Sequence, residues 1–121
     1  MADKATEKII GAAIEVHKIL GCGLLESIYE DALCHEFDLQ KIDYERQFNV
    51  DILYKDHLIR GQRLDLLVNK EIVVEIKSLR RLPDIATAQI LSYLSASKLK
   101  RGLIINFGER RLVDGIKRIS L

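Results

Sequence analysis

The stretch RLDLLVNKEIVVEIKS, residues 63–78, constrains the fold more than any other part of this chain. Two apolar runs flank a polar break at Asn69, Lys70 and Glu71, so the segment reads as a β-hairpin. Yet Asp65, Glu75 and Lys77 lie inside those runs. Alternation puts Leu64, Leu66 and Val68 on one face of the first strand. It puts Ile72, Val74 and Ile76 on one face of the second. Residues directly opposed in a ladder point the same way, so both sets meet one core only if paired numbers sum to an even value. A two-residue turn would pair Val68 with Glu71 and split the sets. A three-residue loop, Asn69 to Glu71, pairs Val68 with Ile72 and keeps six large side chains together. Each contributes roughly 1.5–3 kcal/mol on burial, which outweighs the preference of such loops for glycine.

On the other face this register sets Asp65 opposite Glu75 and Arg63 opposite Lys77, with Leu67 and Val73 as an apolar floor. Acid facing acid makes a poor salt-bridge lattice. At about 5 Å and an effective dielectric near 20, two carboxylates repel by roughly 3 kcal/mol. Two readings follow. One is a solvated charge cluster with diagonal help from Arg63 and Lys77. The other is a divalent cation between the carboxylates, since hard cations such as Mg²⁺ take carboxylate oxygens and retain waters. Lys77 lies two residues after Glu75, on the same strand face, and can stabilise charge on a phosphate or help position a water. That set suits phosphodiester hydrolysis.

The rest of the chain builds around this hairpin. Residues 3–20 read as a helix with Ile9, Ala13, Val16 and Leu20 on one stripe, stopped by the GCG at 21–23. A second helix is expected over about 24–40, with Leu25, Ile28, Tyr29, Ala32, Leu33 and Phe37 inward. YERQFNVDILY, 44–54, reads as a half-exposed strand, KDH at 55–57 as a turn, and 58–68 as the next strand. With 72–77 these make an antiparallel meander. Asp84, after the sole proline Pro83, opens a third helix to about residue 98. GLIINF, 102–107, is apolar on both faces and suits an interior strand. The tail suits a short edge strand. The order ααβββαβ predicts an α/β domain over 1–121, a mixed central sheet flanked by helices.

Charge narrows the partner. The net charge of +1 hides seven Lys and Arg against twelve Asp and Glu in residues 1–60, then twelve against six in residues 61–121. The basic half carries KSLRR at 77–81, KLKR at 98–101 and IKR at 116–118. Each cluster alone reads as solvated surface; together they can line a face that meets phosphates. Aromatics are sparse, so base-stacking readout of single strands is not favoured. No apolar run is long enough for a membrane span. The N-terminal sequence lacks a signal-peptide apolar region, and the expectation is a cytoplasmic protein without a membrane partner. Cys22, Cys34, His17 and His35 match no zinc spacing.

Ordered motifs carry a resemblance across nearly the whole chain. Asp65 followed by the EIK of Glu75, Ile76 and Lys77, on a meander with a helix and strand after it, resembles the PD-(D/E)XK nuclease superfamily. GLLESIY, 23–29, reads G-x-x-E-x-x-Y and resembles the GxxExxY family within it. QILSY, 89–93, reads Q-x-x-x-Y on the following helix. Leu64 stands where the superfamily motif has proline. The resemblance implies a restriction-endonuclease-like core. It also implies a Mg²⁺- or Mn²⁺-dependent nuclease acting on DNA ahead of RNA, with endonuclease activity expected. Asp65 and Glu75 would hold the metal with the Ile76 carbonyl, and Glu26 would complete the set. Lys77 would orient the water or stabilise the transition state. Gln89 would brace the site with Tyr93, and Tyr29 could point the same way. Tyr29, Tyr93, Arg63, Arg80 and Arg81 are the candidate substrate contacts. The alternative is a non-catalytic nucleic-acid or protein interaction module on the same scaffold. A subunit of a larger assembly and a homodimer are both open from sequence.

Overall fold

Leu66, Val68, Ile72, Val74 and Ile76 all turn to one side of a central sheet, and Val68 pairs with Ile72 as the even-sum register requires. In the computed structural model, which describes residues 3–121, the loop between these strands is Asn69–Glu71. Asn69 and Lys70 take the left-handed conformation there (φ 53° and 58°) in place of glycine.

The elements are α1 (Lys4–Leu20), α2 (Glu26–Gln40), β1 (Tyr44–Asn49), β2 (Ile52–Tyr54), β3 (His57–Ile59), β4 (Arg63–Val68), β5 (Ile72–Lys77), α3 (Ile85–Ser97), β6 (Arg101–Asn106), a 3₁₀ turn (Leu112–Gly115) and β7 (Ile116–Ser120). Five strands form one sheet in the order β1-β4-β5-β6-β7. β5 and β6 run parallel, joined by α3, and every other neighbouring pair is antiparallel. The tail is therefore the expected edge strand. α1 and α2 cover one face through Ile9, Val16, Tyr29, Leu33 and Phe37. α3 covers the other through Ala86, Ile90 and Leu94 against Leu67, Val73 and Ile104. The mixed α/β architecture is that of a restriction-endonuclease-like core.

Four expectations are corrected. The strands read as 44–54 and 58–68 each break in two, and β2 and β3 pair only with each other, apart from the main sheet. The turn between them is the two residues Lys55 and Asp56, both at positive φ (47° and 65°), and His57 belongs to β3. Leu20, Leu25 and Ile28 are exposed, because α1 and α2 end and begin beyond the sheet's cover. Leu64 leaves the face of Leu66 and Val68 and joins the α3 core.

The last correction has a local cause. The β1–β4 ladder omits the Gln47–Asp65 pair, and the β4–β5 ladder stops at Leu66–Val74. Gln47 sits at φ 55°, a left-handed residue inside a strand, which costs about 1–2 kcal/mol. The alternation of β4 resets at Asp65, so the residue with the candidate carboxylate is the one released from both neighbours.

Candidate active site

Asp65 is released from both of its ladders and Glu75 from the β4–β5 ladder alone, and each carboxyl bonds the other's strand. The Asp65 backbone N–H donates to Glu75 Oε1 at 2.7 Å, and the Ile76 N–H donates to Asp65 Oδ2 at 2.8 Å. Each carboxyl keeps a second oxygen outside these two bonds. Glu75 is only 5% exposed. Burial, then the charge of Asp65, pushes its carboxyl up to about 7. Burial is likewise the main cause raising Asp65, with the Ile76 N–H opposing it and the charge of Glu30 adding to it. Lys77 lowers both acids and Glu26 raises both, so these charges share one neighbourhood. Among the described residues neither Asp65 nor Glu75 has an ion-pair partner.

A narrow cleft on the α3 side of the sheet is lined by Glu75, Lys77, Gln89, Tyr93, Gln62 and Leu64, among others. Its interior, about 10 Å³, has room for about one water. The cleft joins β4 and β5 to α3 because Gln89 and Tyr93, four apart, share a helix face. Tyr93 donates to Gln62 Oε1 at 2.9 Å and so spans from α3 to the segment that enters β4.

Glu26 opens α2 and is exposed. The Ser78 hydroxyl donates to the Leu24 carbonyl at 2.6 Å, tying the start of α2 to the end of β5. Among the described residues no three His, Cys, Asp or Glu side chains converge as a ready metal-holding group. Cys22 is exposed, and burial pushes the Cys34 thiol up to about 11.

Other expected contacts lie elsewhere. Tyr29 is fully buried and stacks on Phe107 at 4.4 Å. Its hydroxyl donates to Gly21 O at 2.6 Å and accepts from Leu24 N at 3.2 Å. It shapes the α1–α2 loop and does not line the cleft. Arg63 is exposed at the start of β4 and donates to Asn49 Oδ1 at 3.3 Å. Arg80 and Arg81 are exposed beyond β5, outside the cleft lining.

The sequence reading missed three features. Glu30 is buried, ion-paired to Arg46 at 2.7 Å and bonded by Gln47 Nε2 at 3.1 Å. Its spacing of four from Glu26 was the available signal. Asn106 is buried and accepts from Leu79 N (2.9 Å) and Gly108 N (3.0 Å) while donating to Leu79 O (3.0 Å), which fixes the chain after Lys77. A polar residue inside GLIINF was its trace. Gln62 had none.

The match to the family model decides the affiliation: it runs over residues 3–119 and is described as PD-(D/E)XK nuclease superfamily. The chain belongs to the PD-(D/E)XK nuclease superfamily. No curated protein matches it. A solved structure described as "Crystal structure of SSO0001" is similar at 17% identity, covering 95% of this chain and 77% of that one, with a TM-score of 0.49. The superfamily in general uses divalent metals, and the donors here fit such an ion: the buried Glu75 and half-buried Asp65 carboxylates, without an ion-pair partner among the described residues and each with an oxygen outside the Asp65–Glu75 hydrogen bonds. Among the described residues no helix is long and apolar enough to cross a membrane.

Proposed function

We propose that this chain is a metal-dependent nuclease that hydrolyses phosphodiester bonds, with DNA as substrate. One observation carries the reading: a buried carboxyl, Glu75, and a half-buried one, Asp65, each bonded to the other's strand across β4 and β5, with Lys77 in the same cleft as Glu75. Asp65, Glu75 and the Ile76 carbonyl would hold Mg²⁺ or Mn²⁺, with Glu26 completing the set. The ion would supply a water of lowered pKa and Lewis-acid charge at the phosphate. Lys77 offers its ammonium to the phosphate oxygens as negative charge builds there. Gln89 offers an amide to the same cleft, and the backbone N–H groups of Asp65 and Ile76 hold the carboxyls in place. Gly23, Glu26 and Tyr29 support a narrower placement in the GxxExxY family.

A second reading has its own support. Among the described residues no three acids are gathered closely enough to hold a metal, and Tyr93 and Gln62 bridge a cleft with room for one water. That arrangement also suits a scaffold that binds without turnover. The test is cleavage of labelled linear, branched and single-stranded DNA and RNA with Mg²⁺ or Mn²⁺. Wild type is compared with Glu75→Gln and Lys77→Ala. Cleavage lost in both variants is the expected result. No cleavage by wild type on any substrate, together with no divalent-metal binding by calorimetry, would sink the nuclease reading.

A further inference from the structure

Among the described residues, the β2–β3 hairpin is the one element of regular structure with no side chain in either core. Its cross-strand pair Leu53 and Leu58 faces one way, 66% and 64% exposed. Tyr54, opposite His57 on the other face, is 59% exposed. Two strands alone are marginal in water, and Leu53, Leu58 and Tyr54 leave both faces of this hairpin open to a partner.

The base of this hairpin is fixed to the candidate active site. Val50 N donates to Gln62 O at 3.2 Å. Gly61 packs on the Val50 carbonyl so closely that a Cβ there would overlap its oxygen. Gln62 then lines the cleft and accepts from Tyr93. Charge changes sign at the same place. Residues 1–51 hold five Lys and Arg against eleven Asp and Glu, whereas residues 52–63 hold three against one. Among the described residues Lys55, Arg60 and Arg63 form no ion pair, and Lys55 lies 5.6 Å from the Tyr54 ring centre.

A purely apolar partner would leave those cations unmatched. A polyanion matches them. The exposed Tyr54 ring and the leucines offer apolar surface to unpaired base faces, which a closed duplex keeps stacked inside. We infer that the β2–β3 hairpin is a nucleic-acid arm. Unpaired bases lie on Tyr54 on one face of the hairpin and on Leu53 and Leu58 on the other, while Lys55, Arg60 and Arg63 meet phosphates. The site then acts on nucleic acid with a single-stranded or splayed segment. This rests on the nuclease reading above.

The test uses the full chain and three fluorescent DNAs: a single strand, a duplex with one unpaired flap, and a relaxed, covalently closed duplex circle. Affinity is read by anisotropy in chelator, and cleavage in Mg²⁺ or Mn²⁺. Wild type is compared with Leu53→Ser/Tyr54→Ala/Leu58→Ser and with Tyr54→Ala alone, an exposed substitution that covers misfolding of the triple variant. The arm predicts wild-type preference for the strand and the flap. It predicts a loss of about tenfold in the triple variant and a smaller loss in Tyr54→Ala on those two DNAs, with the closed duplex nearly unaffected. Equal wild-type affinity for all three DNAs overturns it, as does a triple variant that binds like wild type. A wild-type dimer that becomes a monomer in the triple variant, with DNA binding unchanged, overturns it in favour of a second copy of the chain. Wild type that cleaves while the variants match it removes the arm alone. Wild type that neither binds nor cleaves removes the nuclease reading and the arm with it.

Discussion

Asp65 and Glu75 secure each other through the backbone: the Asp65 N–H donates to the Glu75 carboxyl, and the Asp65 carboxyl accepts from the N–H of Ile76. Two strands that should repel at this level are held by carboxyls standing in for ladder bonds. The hydrogen-bonding and charge roles of Asp65 are therefore separable. Asp65→Ala leaves the Ile76 N–H without its acceptor, at about 1–3 kcal/mol. Asp65→Asn keeps an oxygen for that bond and removes the repulsion with Glu75. Thermal denaturation should show the alanine variant melting below wild type and the asparagine variant at or above it. Both should lose any stabilisation by divalent metal. Equal destabilisation of the two variants would refute the separation.

Glu75 carries a pH signature. Its folded-state pKa is about 7 against an ordinary 4.5. Between these values the folded chain holds the proton that the unfolded chain has released, so stability falls as pH rises. The contribution is fully present below 4.5 and lost above about 7, a swing on the order of 3 kcal/mol shared with the titration of Asp65. Metal-free wild type should lose stability relative to Glu75→Gln between pH 5 and pH 8. A gap between them that stays constant over this range would contradict the assignment.

Legibility in the sequence followed locality. The register of β4 and β5 was readable because the two apolar sets admit one parity, which five of the six side chains keep, and the Val68–Ile72 pairing follows. Helix bounds came within two residues because GCG and Pro83-Asp84 mark ends chemically. The reversal of Leu64 was not readable. It depends on the break opposite Gln47, a residue with no local signal for a left-handed conformation. The separate β2–β3 hairpin was hidden for a similar reason. Apolar alternation runs through Ile52 and Leu58 as if they continued the main sheet, and only the close packing of Gly61 on Val50 detaches them. Glu75, Lys77, Gln89 and Tyr93 could be proposed together from motif spacing. Gln62 could not, because its place in the cleft is set by tertiary packing.

Tyr29 illustrates how a motif residue can be structural. Its hydroxyl makes two backbone bonds within the α1–α2 loop, and its ring stacks on Phe107. Tyr29→Phe keeps the stacking and orphans the Gly21 carbonyl and the Leu24 N–H, costing about 1–3 kcal/mol. The expected outcome is a lower melting temperature with nucleic-acid affinity unchanged below it. An affinity loss in folded protein would restore Tyr29 as a substrate contact.

Glu30 and Arg46 provide the sharpest check on the charge balance beside Asp65. Glu30 is buried, Arg46 bonds it through two nitrogens at 3.1 and 2.7 Å, and the same guanidinium reaches Asp31 at 2.6 Å. Arg46→Ala strands the Glu30 charge near Asp65, whose carboxyl Glu30 already raises. Because Arg46 is partly exposed, the cost should fall below the 3–5 kcal/mol of a fully buried pair, at about 2 kcal/mol. Glu30→Gln in the same chain removes the stranded charge and should recover part of that loss. A double-mutant cycle by chemical denaturation measures the coupling. Additive effects would mean that the pair is solvated and that Glu30 does not set the field at Asp65. A coupling above about 1 kcal/mol would make Arg46 the residue that permits three acids to share this end of the sheet.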